Sequence, residues 1–158
     1  MSFGKAIHKP ARVHLVNLDN TASIECLINP TVLTEKIGVQ WNRKVVPGLP
    51  FQVLQYQSTA NSKINGLEFH LNKILASERE GNTDILTFRE FLRVLTVPAA
   101  EGSAPPRVFV VWPKVLTVEA VVTSVEFRYQ KFAADGSALL YTAACSFEEA
   151  TVIRNIKR

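Results

Sequence analysis

Val13 and Leu15 alternate with Arg12 and His14. Beyond the stretch Leu18-Asp19-Asn20-Thr21, Ile24, Cys26 and Ile28 alternate with Glu25 and Leu27. Period-two alternation sends successive side chains to opposite faces of a strand, so this pair reads as a β-hairpin. Pro30 lacks a backbone donor and biases Asn29 away from the helical region, which stops the second strand there. From Thr34 to Val46 the apolar residues Ile37, Val39, Trp41 and Val45 share the odd positions against Lys36, Gln40 and Lys44, which predicts a half-buried strand. Pro47-Gly48-Leu49-Pro50 then forces a loop, because two prolines cannot donate and the glycine invites a turn. Phe51, Val53 and Gln55 fall on one face of the next strand. Leu67, Phe69 and Leu71 alternate with Glu68, His70 and Asn72 in another that ends before Lys73. Residues 76–83, rich in charge, read as a solvated loop.

One segment breaks this period. Phe88, Phe91, Leu92 and Leu95 follow the i, i+3, i+4, i+7 spacing of a helix face, and Thr87 with Glu90 supplies a capping box, so a single short helix is predicted over 87–96. A flexible or extended linker over 99–106, closing on Pro105 and Pro106, leads to the strand Arg107–Trp112 and its stop at Pro113. The chain ends in a long hairpin. Val121, Thr123, Val125, Phe127 and Tyr129 are odd, and so are Leu139, Tyr141, Ala143, Cys145 and Phe147. Both sets reach one core only if the connection has an odd number of residues, which predicts three or five, with Gly136 at positive φ and Phe127 near Cys145. Glu126, Arg128 and Gln130 then form a polar opposite face.

The 158 residues suit one domain, and 47% hydrophobic against 20% charged residues is ordinary globular usage. We assign 1–10 as an N-terminal arm, 11–150 as the β domain and 151–158 as a basic tail. The net charge of +4 raises nucleic acid as a partner. Its basic residues are scattered, however, with clusters only at Arg43-Lys44 and at the terminus, and no aromatic platform between them, so no specific nucleic-acid recognition is expected. No stretch approaches the ~20 apolar residues of a membrane span, and the N-terminus lacks the apolar core of a secretion signal; no membrane partner is expected. Cys26 and Cys145 lie in apolar-alternating segments as buried, reduced thiols, able to pair only if their strands are neighbours.

Candidate chemistry is sparse. His8, His14 and His70 have no Cys or carboxylate at ligand spacing, so neither a metal nor a cofactor is expected. No phosphate loop, nucleophile elbow or Cys-x-x-Cys occurs. Glu78 with Glu80 and Glu148 with Glu149 are the carboxylate pairs, and a general acid–base couple needs burial or a neighbour to separate its two pKa values. Catalytic residues are therefore not assigned. Trp41 and Trp112 sit at strand ends, where an indole serves a core or an interface more readily than a ligand.

The stretches LINPTVLTEKIGVQW, VPGLPFQVLQYQSTANSKINGLEFHL and the C-terminal PPRVFVVWP…SFEE carry an Asn29-Pro30 strand stop, a strand after Pro105-Pro106, and a Tyr129, Phe132, Asp135, Gly136 hairpin. In this order they resemble the tube-like domain of baseplate adaptor proteins of contractile phage tails and contractile injection systems. The resemblance covers roughly 11–150. It implies a tail-tube-like antiparallel β-barrel or sandwich and a structural, non-enzymatic adaptor, or tube initiator. That adaptor would assemble as a sixfold ring between a spike or hub protein and the tail tube protein, with baseplate wedge proteins as further partners. It also implies a virion or injection particle built in the bacterial cytoplasm. Longer members carry a LysM module; no role of that module is expected of this chain. The expected fold is thus mainly β with one short helix. The expected interfaces are Pro47, Gly48, Leu49 and Pro50, the Pro105-Pro106 loop, and the Glu126, Arg128, Gln130 face, which serves equally well as a solvated or lumen-facing wall. The alternative is a small-ligand-binding β-barrel with Trp41 or Trp112 lining its cavity.

Overall fold

The computed structural model describes residues 11–78 and 84–150, so the expected N-terminal arm, the basic tail, His8 and Glu80 lie outside the described residues. In chain order the elements are β1 (His14–Asn17), β2 (Ser23–Glu25), β3 (Glu35–Lys36), β4 (Val39–Lys44), β5 (Val53–Thr59), β6 (Lys63–Asn72), α1 (Lys73–Glu78), α2 (Ile85–Val94), β7 (Val108–Trp112), β8 (Leu116–Phe132) and β9 (Ala138–Glu149). Seven strands form one antiparallel sheet in the order β2-β1-β7-β8-β9-β6-β3, and β4 pairs only with β5. The sheet ends at β2 and β3 without closing, so of the two expected architectures the fold is sandwich-like rather than a closed barrel.

The first hairpin forms as the alternation predicts, with Leu15 opposite Ile24. Its second strand stops earlier than expected, at Glu25, and Ile28 turns outward. Asn29 explains the stop. Its Oδ1 accepts from the Val13 N–H at 3.0 Å and the Cys26 thiol at 3.3 Å, and its Nδ2 donates to the Ala11 carbonyl at 2.8 Å. One side chain thus satisfies the backbone entering β1 and ties it to the end of β2. Pro30, Pro47 and Pro50 all lie outside strands.

Two irregularities set which residues reach the core. In β6 an extra residue between Ile64 and Leu67 shifts the register, Gly66 takes φ +61°, and its N–H reaches Ser146 Oγ at 3.1 Å. The buried set changes from even (Ile64) to odd (Leu67, Phe69, Leu71), as a glycine bulge permits. In β8 the shift between Val122 and Ser124 does the same: Ala120 and Val122 pack inward before it, Val125 and Phe127 after it. Val121 therefore belongs to the opposite face from the one its odd number suggested.

The long hairpin closes through five residues, 133–137, with Gly136 at φ +87° and its N–H on the Ala133 carbonyl. The predicted length and glycine are correct. The connection is centred on Asp135 rather than Gly136, which slides the ladder by two: Val125, not Phe127, faces Cys145, and Phe127 faces Ala143.

The predicted helix is α2, two residues earlier at its start. Asp84 is the N-cap without a side-chain bond, and Thr87 lies inside the helix, so the Thr87–Glu90 capping box does not form. Ile85, Phe88, Leu92 and Leu95 are buried over the sheet; Phe88 meets the Phe69 ring at 5.6 Å, and the Tyr141 hydroxyl donates to the Ile85 carbonyl. A second helix, α1, replaces the start of the expected 76–83 loop. Asn72 Oδ1 accepts from the Ile74 and Leu75 N–H groups at 2.9 and 3.3 Å, an N-cap that alternation had absorbed into the strand.

Candidate assembly surface

Among the described residues, the segment from β4 to β5 contributes no side chain to the buried core. All six β4 residues are exposed, and every β5 residue after Val53 is exposed. The predicted strand pattern over 34–46 is real, since Glu35–Lys36 and Val39–Lys44 are both extended, but half-burial is not: Ile37, Val39, Trp41 and Val45 are all exposed. At roughly 3.4 Å per residue, β4 makes a ribbon about 20 Å long beyond the sheet.

Register decides what this ribbon displays. Trp41 faces Tyr56, Arg43 faces Leu54 and Asn42 faces Gln55, with one extra residue, Gln57, on β5. Facing residues share a side, so Val39, Trp41, Arg43, Leu54 and Tyr56 form one face, while Gln40, Asn42, Lys44 and Gln55 form the other. The Trp41 and Tyr56 rings meet edge to face at 5.7 Å, and the Tyr56 hydroxyl lies 2.8 Å from Thr59 Oγ1. These contacts shape the apolar face without covering it. At the tip, Leu49 N–H donates to the Val46 carbonyl at 3.2 Å across Pro47 and Gly48, with Gly48 at φ +89°. Proline then glycine at the two central positions is the composition a type II turn requires. The turn leaves Leu49 and Phe51 exposed.

The Glu126, Arg128 and Gln130 side chains are exposed, as expected. The structure adds neighbours that alternation alone does not supply. Glu126 and Glu68 both oppose Ala144, and Arg128 and His70 both oppose Thr142. His70 Nδ1 lies 3.2 Å from Thr142 Oγ1. Gln130 occupies a register shift between Tyr129 and Lys131. Behind this wall Arg89 of α2 donates to the Tyr129 hydroxyl at 2.7 Å and lies over the Phe127 ring at 5.6 Å, which locks the helix onto the hairpin.

The 99–106 linker, expected to be flexible or extended, holds a turn instead, with Ser103 N–H on the Ala100 carbonyl at 3.1 Å and Gly102 at φ +79°. Pro105 is exposed and Pro106 is buried, so only the first can offer a surface. The linker leads into β7, whereas the ribbon lies between β3 and β6, at the other end of the strand order.

Of the two carboxylate pairs, Glu78 with Glu80 reaches outside the described residues, and Glu148 with Glu149 lies in β9. Consecutive strand residues point to opposite faces, so Glu148 and Glu149 in β9 do not converge. Among the described residues no group of three or more His, Cys, Asp or Glu is placed to hold a metal ion, and no helix is long and apolar enough to cross a membrane. Cys26 and Cys145 form no disulfide and are buried; burial pushes the Cys26 thiol up to about 11 and the Cys145 thiol up to about 12, which disfavours the thiolate in both. Trp112 packs half-buried against the core and Trp41 stands on the ribbon. Neither lines a closed barrel.

The described residues thus form a sandwich-like fold whose β4–β5 ribbon leaves an apolar face exposed. The chain belongs to the contractile injection system tube protein family, whose model matches residues 8–155. No curated protein gives a significant match to the sequence.

Proposed function

We propose that within this family the chain acts as a non-enzymatic adaptor, or tube initiator, that forms a ring joining the spike or hub to the tail tube. The observation that carries this reading is the ribbon. A soluble monomer gains nothing from an apolar face of Trp41, Leu54 and Tyr56 held away from its own core, whereas a protomer that buries the face against a neighbour does. A ring also covers the sheet edges at β2 and β3, which are otherwise open to adventitious pairing. The tip Pro47-Gly48-Leu49-Pro50 and the exposed Pro105 serve as axial contacts, since prolines reduce the entropy lost on docking. The Glu126, Arg128 and Gln130 wall faces either a neighbour or the channel. The ligand-binding barrel has no closed sheet to support it.

Electron microscopy of native particles, with the chain tagged and counted by quantitative mass spectrometry, tests the role. One ring per particle at the spike end supports the adaptor. A copy number that rises with particle length makes the chain the bulk tube subunit instead, and absence from particles removes the assembly role altogether.

A further inference from the structure

Asn-Gly is the dipeptide that ordinarily makes a tight hairpin turn, yet Asn65-Gly66 lies inside β6, at the bulge between Ile64 and Leu67. Both residues are exposed, and Gly66 holds φ +61°. Asparagine before glycine is also the pair in which a side-chain amide most readily meets the next backbone nitrogen, since glycine has no Cβ to obstruct the approach. The Asn65 side chain makes no hydrogen bond among the described residues, which leaves its amide available.

Two neighbouring segments pin the backbone on either side of that amide. The Asn65 N–H donates to the Thr34 carbonyl at 3.1 Å, at the entry to β3, and the Gly66 N–H donates to Ser146 Oγ of β9 at 3.1 Å. For the Gly66 nitrogen to reach the Asn65 Cγ, the peptide group between them must rotate, which breaks the bond to Ser146. A side chain supplies this bond in place of a ladder carbonyl, because the bulge carries Gly66 out of the regular β6–β9 register.

We propose that Asn65-Gly66 is a latent site of spontaneous succinimide formation and that the Ser146 hydroxyl is the clamp that keeps it closed in the folded chain. When the clamp opens, the Gly66 nitrogen forms a bond to the Asn65 Cγ and the Cγ–Nδ2 bond breaks; Nδ2 leaves as ammonia, carrying its own protons and the Gly66 amide proton. Water then opens the imide at either carbonyl. One product is an aspartate. The other is an isoaspartate, in which the chain runs through the former side chain and gains a backbone methylene. That methylene enters a bulge that already carries an extra residue and sets which β6 side chains are buried, Ile64 before it and Leu67, Phe69 and Leu71 after it. The opening is local, because β3 is only two residues long and lies at the end of the sheet.

The test follows the tryptic peptide 64–73 by mass spectrometry after the purified full chain has been held at mildly alkaline pH, with aspartate and isoaspartate told apart by fragmentation. Ser146→Ala is expected to convert Asn65 about fivefold faster than wild type, the change in open population that loss of one ordinary hydrogen bond gives. Ser146→Thr, which keeps the hydroxyl, retains the wild-type rate. Leu92→Ala weakens the core and leaves both pinning bonds in place, so it also retains that rate. Lys36→Pro, at an exposed position of β3, loosens the Thr34 side and speeds conversion; should Ser146→Ala fail to fold, an unaltered rate in Lys36→Pro decides against the proposal. Equal rates in wild type and Ser146→Ala, or no conversion at Asn65 in any chain, overturn it. Conversion in Leu92→Ala as fast as in Ser146→Ala makes global unfolding the gate and overturns it too, and a Ser146→Thr chain as fast as Ser146→Ala removes the hydroxyl as the clamp.

Discussion

Replacing Trp41 with alanine separates an indole that holds the fold together from one that waits for a neighbour. Trp41 is 51% exposed, and its ring contact inside the chain is the edge-to-face meeting with Tyr56. Losing that pair costs about 0.5–1.5 kcal/mol. The cost falls on the ribbon, which can open locally without opening the core. The melting temperature of Trp41→Ala should therefore stay within about 2 °C of wild type, at the ~2–4 °C per kcal/mol of chains this size. Leu92→Ala is the internal control: Leu92 is 0% exposed on the buried face of α2, and such a truncation costs about 2–5 kcal/mol, or a fall of roughly 5–15 °C. Assembly should rank the two the other way. A tryptophan at the centre of an interface contributes about 2 kcal/mol or more, so the folded Trp41→Ala chain should associate roughly thirtyfold more weakly. Thermal unfolding by circular dichroism and incorporation into rings or particles read the two quantities on the same preparations. A fall in melting temperature matching that of Leu92→Ala would show that the ribbon is part of the folding unit, and unaltered assembly would remove its apolar face from the interface.

Leu49→Asp should leave stability within about 0.5 kcal/mol of wild type, because the side chain sits at an exposed turn, while incorporation into particles is lost; normal incorporation of the folded variant excludes the tip from the contact. Asn29→Ala removes three bonds at the β1–β2 junction and leaves the Val13 N–H unsatisfied, so the denaturant midpoint should drop by the equivalent of about 1–3 kcal/mol, and an unchanged midpoint would show that water replaces the amide. Alkaline pH should also destabilise the fold. In the unfolded chain the thiols ionise near 9.0, but burial holds Cys26 at about 11 and Cys145 at about 12 and raises Tyr141 as well, so the unfolded state loses protons first. Stability is then full below pH 9 and falls as pH rises from there toward those folded values. The melting temperature of Cys145→Ala should decline less steeply over the interval from about pH 8.5 to about pH 10.5, and parallel slopes would show that the thiol is not the source.

Local pattern carried much of this fold, because a strand's alternation and a helix's apolar face are written in neighbouring residues. The first hairpin, the β7 stop at Pro113, the helix face of Phe88, Leu92 and Leu95, and a five-residue turn with Gly136 at positive φ were all legible that way. The Asn72 cap was not, since an asparagine ending a strand and one beginning a helix look alike until the following N–H groups are placed. Nor were the shifts at Gly66 and Thr123: an inserted residue reverses the faces, and only the partner strand reveals which residue is extra. The ribbon marks the limit most clearly. Ile37, Val39, Trp41 and Val45 announce an apolar face in sequence, but period two says only that the face must be covered and not by which chain. Tertiary structure decides what the chain itself contributes: β4 pairs only with β5, and among the described residues the apolar side of that pair stays exposed.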